Sequence, residues 1–229
     1  EFNNSPDLQR ITEKTAAVIL ETIQGAAGFL LPDEGYLQQL KTRCESVGAL
    51  LILDEIQPGF GRTGKLFAFE HYGIVPDILV MGKGMGGGVP VGAFMSSAEI
   101  MQSLSHSPKL GHITTFGGNP LIAAASYATL REVLESGLMN QVDEKEKLFR
   151  ELLMHPKIRH VNGRGLMLAV DLGSPEYTLA VAKRCMEKGL IVFWQLYRNE
   201  FLRISPPLTI SPDEICKGCQ IITETLDEL

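Results

Sequence analysis

Three apolar runs end on residues able to do chemistry: Ala16 to Leu20 meets Glu21, Ala49 to Leu53 meets Asp54, and Ile78 to Met81 meets Gly82 and Lys83. The runs are rich in Val, Ile and Leu and apolar on both faces, as buried strands covered by helices require. Parallel strands place all their carboxyl ends on one edge, and open α/β sheets bind ligands along that edge. Two carboxylates and one lysine are therefore expected to converge. A single polar residue closing a strand marks only its exit; three in register argue for a site.

Lys83 lies in Met81-Gly-Lys-Gly-Met-Gly-Gly-Gly-Val-Pro-Val-Gly92. Glycines remove side-chain bulk on both sides and let a flat ligand approach the backbone closely. Hemmed in by glycine and apolar residues, the lysine is expected to be partly desolvated. Desolvation lowers its pKa and favours the free amine that forms a Schiff base. The same stretch contains G-x-G-x-x-G at Gly82, Gly84 and Gly87. A dinucleotide-binding turn of that pattern must open a helix, and Val89-Pro90-Val91-Gly92 does not, because proline lacks the N–H a helix interior needs. A P-loop is excluded as well, with Gly84 where Ser or Thr is required and Asp77 where the first glycine is required. Asp54, at a buried strand end, needs a positive or hydrogen-bonding partner, and a protonated pyridine nitrogen satisfies it. A lysine Schiff base with an acidic pyridinium partner is the chemistry of pyridoxal phosphate.

Positioning these groups takes an α/β framework. After Gly28, the stretch Asp33 to Val47 has helical spacing and is closed by Gly48; a fourth strand, Gly92 to Met95, follows the glycine run. Crossovers between these strands predict parallel pairing. Asn119-Pro120 reads as an N-cap with proline in the first turn, opening a long apolar helix to about Leu134. A domain boundary is placed there, with residues 1-136 forming the larger domain and 137-229 a smaller α/β one. In the smaller part, Gln141 to Leu153, Glu176 to Lys188 and Pro212 to Leu229 read as helices. Gly165 to Leu172, Ile191 to Trp194 and Phe201 to Ile204 read as strands. Residues Glu1 to Asp7 carry no usable signal.

The 229 residues suffice for a sizeable core. Against 21 Lys+Arg stand 27 Asp+Glu, a net charge of −6, and no basic stripe forms, so nucleic acid is not an expected partner. No apolar run approaches the roughly 18 residues of a membrane span. Cys44, Cys185, Cys216 and Cys219 are too scattered for a disulfide framework, and no signal-peptide pattern opens the chain, so a cytoplasmic location is expected. Cys216-Lys-Gly-Cys219 reads as core packing on a helix, since neither a second pair nor a nearby histidine accompanies it. The five histidines show no ligand spacing. Phe193 and Trp194 either pack against the smaller domain or line a substrate entrance.

With these residues in hand, the chain resembles the class III aminotransferases, and most closely their ornithine and acetylornithine branch. The likeness rests on Leu53-Asp-Glu-Ile-Gln57 with Gly61-Arg-Thr-Gly64, on Gly82 to Ala93, and on Thr114-Thr-Phe-Gly-Gly-Asn-Pro120. Glu21-Thr-Ile-Gln-Gly25 and Phe201-Leu-Arg-Ile-Ser-Pro-Pro207 also correspond. The resemblance implies fold type I: the C-terminal part of a mostly parallel large-domain sheet plus a small C-terminal α/β domain. It implies pyridoxal 5'-phosphate as cofactor, held by Lys83 as a Schiff base, with Asp54 on the pyridine N–H, Ile56 on the ring and Gln57 near the ring hydroxyl. Thr115, with Gly117-Gly118, is implied to bind phosphate from the neighbouring subunit of a homodimer, and Arg203 to take a substrate carboxylate. The implied reaction moves an amino group from an ω- or α-amino acid to 2-oxoglutarate.

A semialdehyde aminomutase is the alternative within the class, though that branch tends to carry methionine where Gln57 stands. A fragment that binds no cofactor is the alternative outside it. Ornithine-type members usually read Glu-Pro-Ile-Gln-Gly-Glu where this chain has Glu21-Thr-Ile-Gln-Gly-Ala26, so the acid that screens the arginine is missing. The resemblance also implies that the family's phosphate turn and ring-stacking aromatic precede residue 1. On that expectation residues 1 to 229 alone show little transamination and expose apolar surface.

Overall fold

In a computed structural model describing residues 1–229, the apolar runs form strands β1 (Ala17–Glu21), β2 (Leu50–Asp54) and β3 (Ile78–Gly82). Two compact units contain the chain. The first comprises Glu1–Thr22, Pro32–Phe60 and Phe67–Ser136, and the second Ile23–Leu31, Gly61–Leu66 and Gly137–Leu229. Two segments of the first 136 residues thus belong to the second unit.

In the first unit β1, β2 and β3 are parallel, in that order, and Glu21 stands in register with Asp54 and Asp54 with Val80. Strand β4 (Gly92–Ser96) pairs with β3 antiparallel, against the expectation of a further parallel crossover. The reason is length: the connection between them holds only a 3₁₀ turn at Lys83–Gly86, whereas a parallel return needs a dozen residues or more. Helix α1 (Tyr36–Val47) runs between Gly35 and Gly48, both left-handed, and buries Leu37, Leu40 and Cys44 against Ala49, Leu51 and Leu53. Asp77 pins this layer. Its carboxylate accepts the Leu51 N–H at 2.7 Å and pairs with Lys41 at 2.9 Å, and its carbonyl accepts the Ser96 hydroxyl at 2.6 Å.

Coverage of both sheet faces was expected, and within this unit only one is covered. The opposite face, with Ile19, Ile52, Ile78, Val80 and Phe94, lines an open recess of about 810 Å³, and Ile19 is 66% exposed. A short helix α2 (Ala98–Gln102) follows β4, and α3 (Pro120–Glu135) starts on Asn119, whose side chain accepts the Leu121 and Ile122 N–H groups. Only Val133 of α3 is buried; Leu121 and Tyr127 stand exposed.

Glu55, one residue beyond β2, is fully buried. It accepts the Thr22 hydroxyl at 2.7 Å, the Ala68 N–H at 2.9 Å and the Phe69 N–H at 2.8 Å. One carboxylate thereby ties the exits of β1 and β2 to the 3₁₀ turn Ala68–Tyr72. Burial pushes its pKa above the ordinary glutamate value, with the three hydrogen bonds opposing that shift.

The second unit is an antiparallel sheet of β5 (His160–Arg164), β6 (Met167–Asp171), β8 (Phe201–Ile204) and β7 (Phe193–Trp194), in that order. Helices α4 (Val142–Leu152), α5 (Pro175–Glu187) and α6 (Pro212–Glu228) share its core, where Phe149, Leu168, Val170, Leu202 and Ile222 meet. Ser174 caps α5, and Ser211 forms a capping box with Glu214 at the start of α6. Strand β5 is absent from the sequence reading because His-Val-Asn-Gly-Arg lacks apolar alternation; pairing with the fully buried β6 makes it a strand. Phe193 is 56% and Trp194 37% exposed, so packing into the core does not account for them.

Two stability predictions follow from these contacts. Gly163 has φ +101°, and an added Cβ would lie 1.9 Å from the Met167 carbonyl oxygen. Gly163→Ala is expected to destabilise by about 2 kcal/mol or more, while Gly189→Ala, with φ +87° and open space around it, costs about 1–2 kcal/mol of backbone strain alone. Chemical denaturation of both variants measures the difference. For Glu55, a raised folded-state pKa means that the folded chain holds the proton more tightly than the unfolded one. Its contribution to stability is greatest below the ordinary glutamate range and falls as pH rises through that range toward the raised value. Unfolding free energies measured from pH 4 to 8 should show that fall in the native chain and lack it in Glu55→Gln.

Candidate functional site

Asp54 closes β2 half-buried, and its Oδ1 accepts the Ile56 N–H at 2.9 Å, an Asx turn that ties the carboxylate to the start of the following loop. Ile56 then packs at Gly82, where a Cβ would stand 3.4 Å from Ile56 Cγ2 and 3.2 Å from the Val91 carbonyl oxygen. Any side chain at 82 would crowd the space beside Ile56. Gln57 follows in the same turn, and its Oε1 accepts from Lys83 Nζ at 3.4 Å.

Lys83 begins the 3₁₀ turn after β3 with φ +42°, a left-handed conformation rare for a residue with a side chain. Such backbone strain is held only where the surroundings enforce it, and it clusters at functional positions. Gly82, extended before it, and Gly87, left-handed at the end of the turn, give the backbone the freedom to make so tight a turn. One expectation is corrected: Lys83 is exposed in this chain, not desolvated by its neighbours. Glycines leave the backbone open for a ligand, and for the same reason they provide no side chains to cover the amine.

Asp54, Ile56, Gln57, Gly82 and Lys83 therefore form one cluster on the carboxyl edge of the parallel strands. Glu21 stands beside Asp54 in the ladder. Thr115 lies in the exposed turn before α3, where Gly117 N–H bonds the Thr114 carbonyl and Asn119 N–H the Phe116 carbonyl. Its neighbours Thr114, Gly117 and Gly118 line the same recess as Ile56. Fit to a pyridine-ring cofactor can be judged on these groups: an oriented carboxylate, an apolar side chain beside a glycine-cleared slot, and an amine within reach of the same turn. They suit it. Asp54 and Lys83 would be the residues to hold it.

Arg203 belongs to the second unit. It sits on β8 opposite Phe193 of β7, donates from Nε to the Ser205 hydroxyl at 3.1 Å, and places its guanidinium 5.8 Å above the buried Phe29 ring. Ala26 supplies its carbonyl to the Tyr197 N–H at 3.1 Å and has no carboxylate to offer. Two polar residues escaped the sequence reading. Glu55 was overshadowed by Asp54 next to it, although two acids in succession after an apolar run are themselves a signal. Arg62, within Gly61-Arg-Thr-Gly64, gives no local signal, because its partners are carbonyls at Leu166 and Pro206, more than a hundred residues away. On α6, Cys219 lies in the core with its thiol pushed up to about 12 by burial, and Cys216 is exposed.

Comparison with known proteins bears on this geometry. The family model described as aminotransferase class-III matches residues 2–226. A putrescine aminotransferase of Pectobacterium atrosepticum is 40% identical over 228 residues, covering 96% of this chain and 48% of that protein. An acetylornithine aminotransferase of Caldanaerobacter subterraneus is 38% identical over 226 residues, covering 96% and 56%. The chain thus spans about half the length of the curated relatives it matches. Among solved structures, the ornithine aminotransferase of Toxoplasma gondii, crystallised with oxidized glutathione and with PLP at partial occupancy in its active site, superposes with a TM-score of 0.91 at 32% identity. It covers all of this chain, which spans 55% of it. A match that runs from the second residue to within three of the last, together with relatives near 40% identity, places this chain in the class-III aminotransferases.

Proposed function

We propose that this chain carries the lysine-bearing part of an enzyme that transfers an amino group from an ω- or α-amino donor to 2-oxoglutarate, using pyridoxal 5'-phosphate. The observation that carries the reading is the strained Lys83, bonded to Gln57 in the turn next to Asp54, on the carboxyl edge of three parallel strands. When bound, the cofactor supplies a carbonyl carbon open to amines and a pyridine ring that withdraws electrons.

In this reading Lys83 Nζ is the covalent attachment point and the atom that carries a proton during the reaction. Gln57 Oε1 holds that amine toward the turn. Asp54, tied to the loop by the Ile56 N–H, keeps a proton on the ring nitrogen, because a carboxylate compensates the positive charge that the proton creates. Ile56 packs on the ring, which Gly82 leaves room for. Thr115, in the turn at the N-terminus of α3, binds the phosphate of the other subunit in a homodimer, where helix amides favour an anion. Arg203 receives a substrate carboxylate through its planar fork. The absence of an acid at Ala26 leaves that arginine available to the substrate in both halves of the reaction. A cytoplasmic location completes the proposal; no helix of the chain is long and apolar enough to cross a membrane.

Two measurements on the holoenzyme test it. Lys83→Ala should abolish the visible absorbance of bound cofactor and all transamination while leaving the unfolding midpoint unchanged; full turnover in that variant refutes the assignment. Asp54→Asn should retain cofactor and slow single-turnover proton transfer by about two orders of magnitude. An unchanged rate removes Asp54 from the mechanism.

A further inference from the structure

Arg62 is a charged side chain that the reaction above does not use. Its Nη1 donates to the carbonyls of Leu166, at 3.3 Å, and Pro206, while the Arg62 carbonyl accepts the Leu166 N–H at 3.0 Å. The approach is close: a Cβ on Gly165, whose φ is +62°, would stand 2.5 Å from the Arg62 carbonyl oxygen. Pro206 directly follows Ser205, the residue whose hydroxyl holds Arg203 Nε at 3.1 Å. Arg62 thus clamps the turn leaving β8 at the peptide next to the one that orients Arg203. All these residues belong to the second unit.

Neither guanidinium has a carboxylate partner. Arg62 bonds two carbonyls, Arg203 one hydroxyl and the face of Phe29, and all of these are neutral. Both are partly withdrawn from water, which pushes both below the ordinary arginine range, and Arg203 adds to the effect on Arg62 by repulsion. Guanidinium does not lose its proton under any ordinary condition, so the two charges stay. Like charges in a partly desolvated setting are costly until an anion joins them.

We infer that Arg62 is a positioning residue of the carboxylate seat: it fixes the Ser205–Pro206 turn that aims Arg203 and adds a second positive charge toward a monocarboxylate ligand. The inference rests on the reading of Arg203 as the carboxylate receptor. It differs from that reading in giving a role to a residue that does not touch the substrate.

The test titrates holoenzyme calorimetrically with pentanoate, a carboxylate that cannot react, and with pentanamide, its uncharged counterpart. Arg62→Gln should weaken pentanoate binding about tenfold and leave pentanamide unchanged. Arg62→Lys, which returns the charge without the planar fork, should recover part of the loss. General damage to the unit lowers affinity for both ligands alike and overturns the inference, as does pentanoate affinity unchanged in Arg62→Gln. Arg203→Gln separates the two levels. If it loses pentanoate selectively while Arg62→Gln does not, the role of Arg62 alone is refuted; if it keeps pentanoate affinity, the carboxylate seat is refuted and Arg62 with it.

Discussion

Asp54 meets Glu21 on one side and Val80 on the other because β1, β2 and β3 run in the same direction and in one register. Everything at the candidate site depends on that alignment. Parallel strands end on a common edge, so a carboxylate closing the central strand and a lysine just past its neighbour are brought together without any contact between them in sequence. A shift of one residue in either ladder would turn Asp54 to the opposite face, away from the Ile56–Gly82 slot. The register is held by groups outside the site: α1 against Leu51 and Leu53, and Asp77 bridging β2, α1 and β4.

Glu55 shows how much the edge needs support. A buried acid is unfavourable unless its oxygens are occupied, and here a hydroxyl and two amides occupy them. The three donors come from the residue after β1 and from the 3₁₀ turn at Ala68, so the acid joins segments that would otherwise leave the sheet edge independently. Asp54 beside it makes a local bond instead, its Oδ1 accepting the Ile56 N–H. Arg62 plays a comparable part in the second unit, where a cation bonded to two carbonyls holds loops that have no secondary structure of their own.

Strain and openness at Lys83 have a common origin. The glycines around it permit a tight 3₁₀ turn in which Lys83 takes φ +42°, and they leave its amine exposed. An exposed amine held by Gln57 is a geometry ready for a ligand, whose own bulk would supply the desolvation that the glycines do not.

By itself the sequence determined the strand ends, the helix caps and the residue types gathered at the sheet edge. Val, Ile and Leu runs closing on Glu21, Asp54 and Lys83, Asn119 before Pro120, and Ser211 three residues before Glu214 are local signals whose physical effect needs no distant partner. The class of the fold and the meeting of Asp54 with Lys83 on one sheet edge were legible for that reason, whereas Gln57 was implied only by the likeness to a family. Tertiary structure decided what depends on residues far apart. It paired β4 antiparallel because a short turn cannot return a strand in parallel, made His160–Arg164 a strand through β6, and exposed α3 despite its apolar composition. It also gave Glu55 and Arg62 their partners. Periodicity and capping act over a few residues, whereas desolvation, register and the satisfaction of a buried charge are set by whichever segments the chain folds against them.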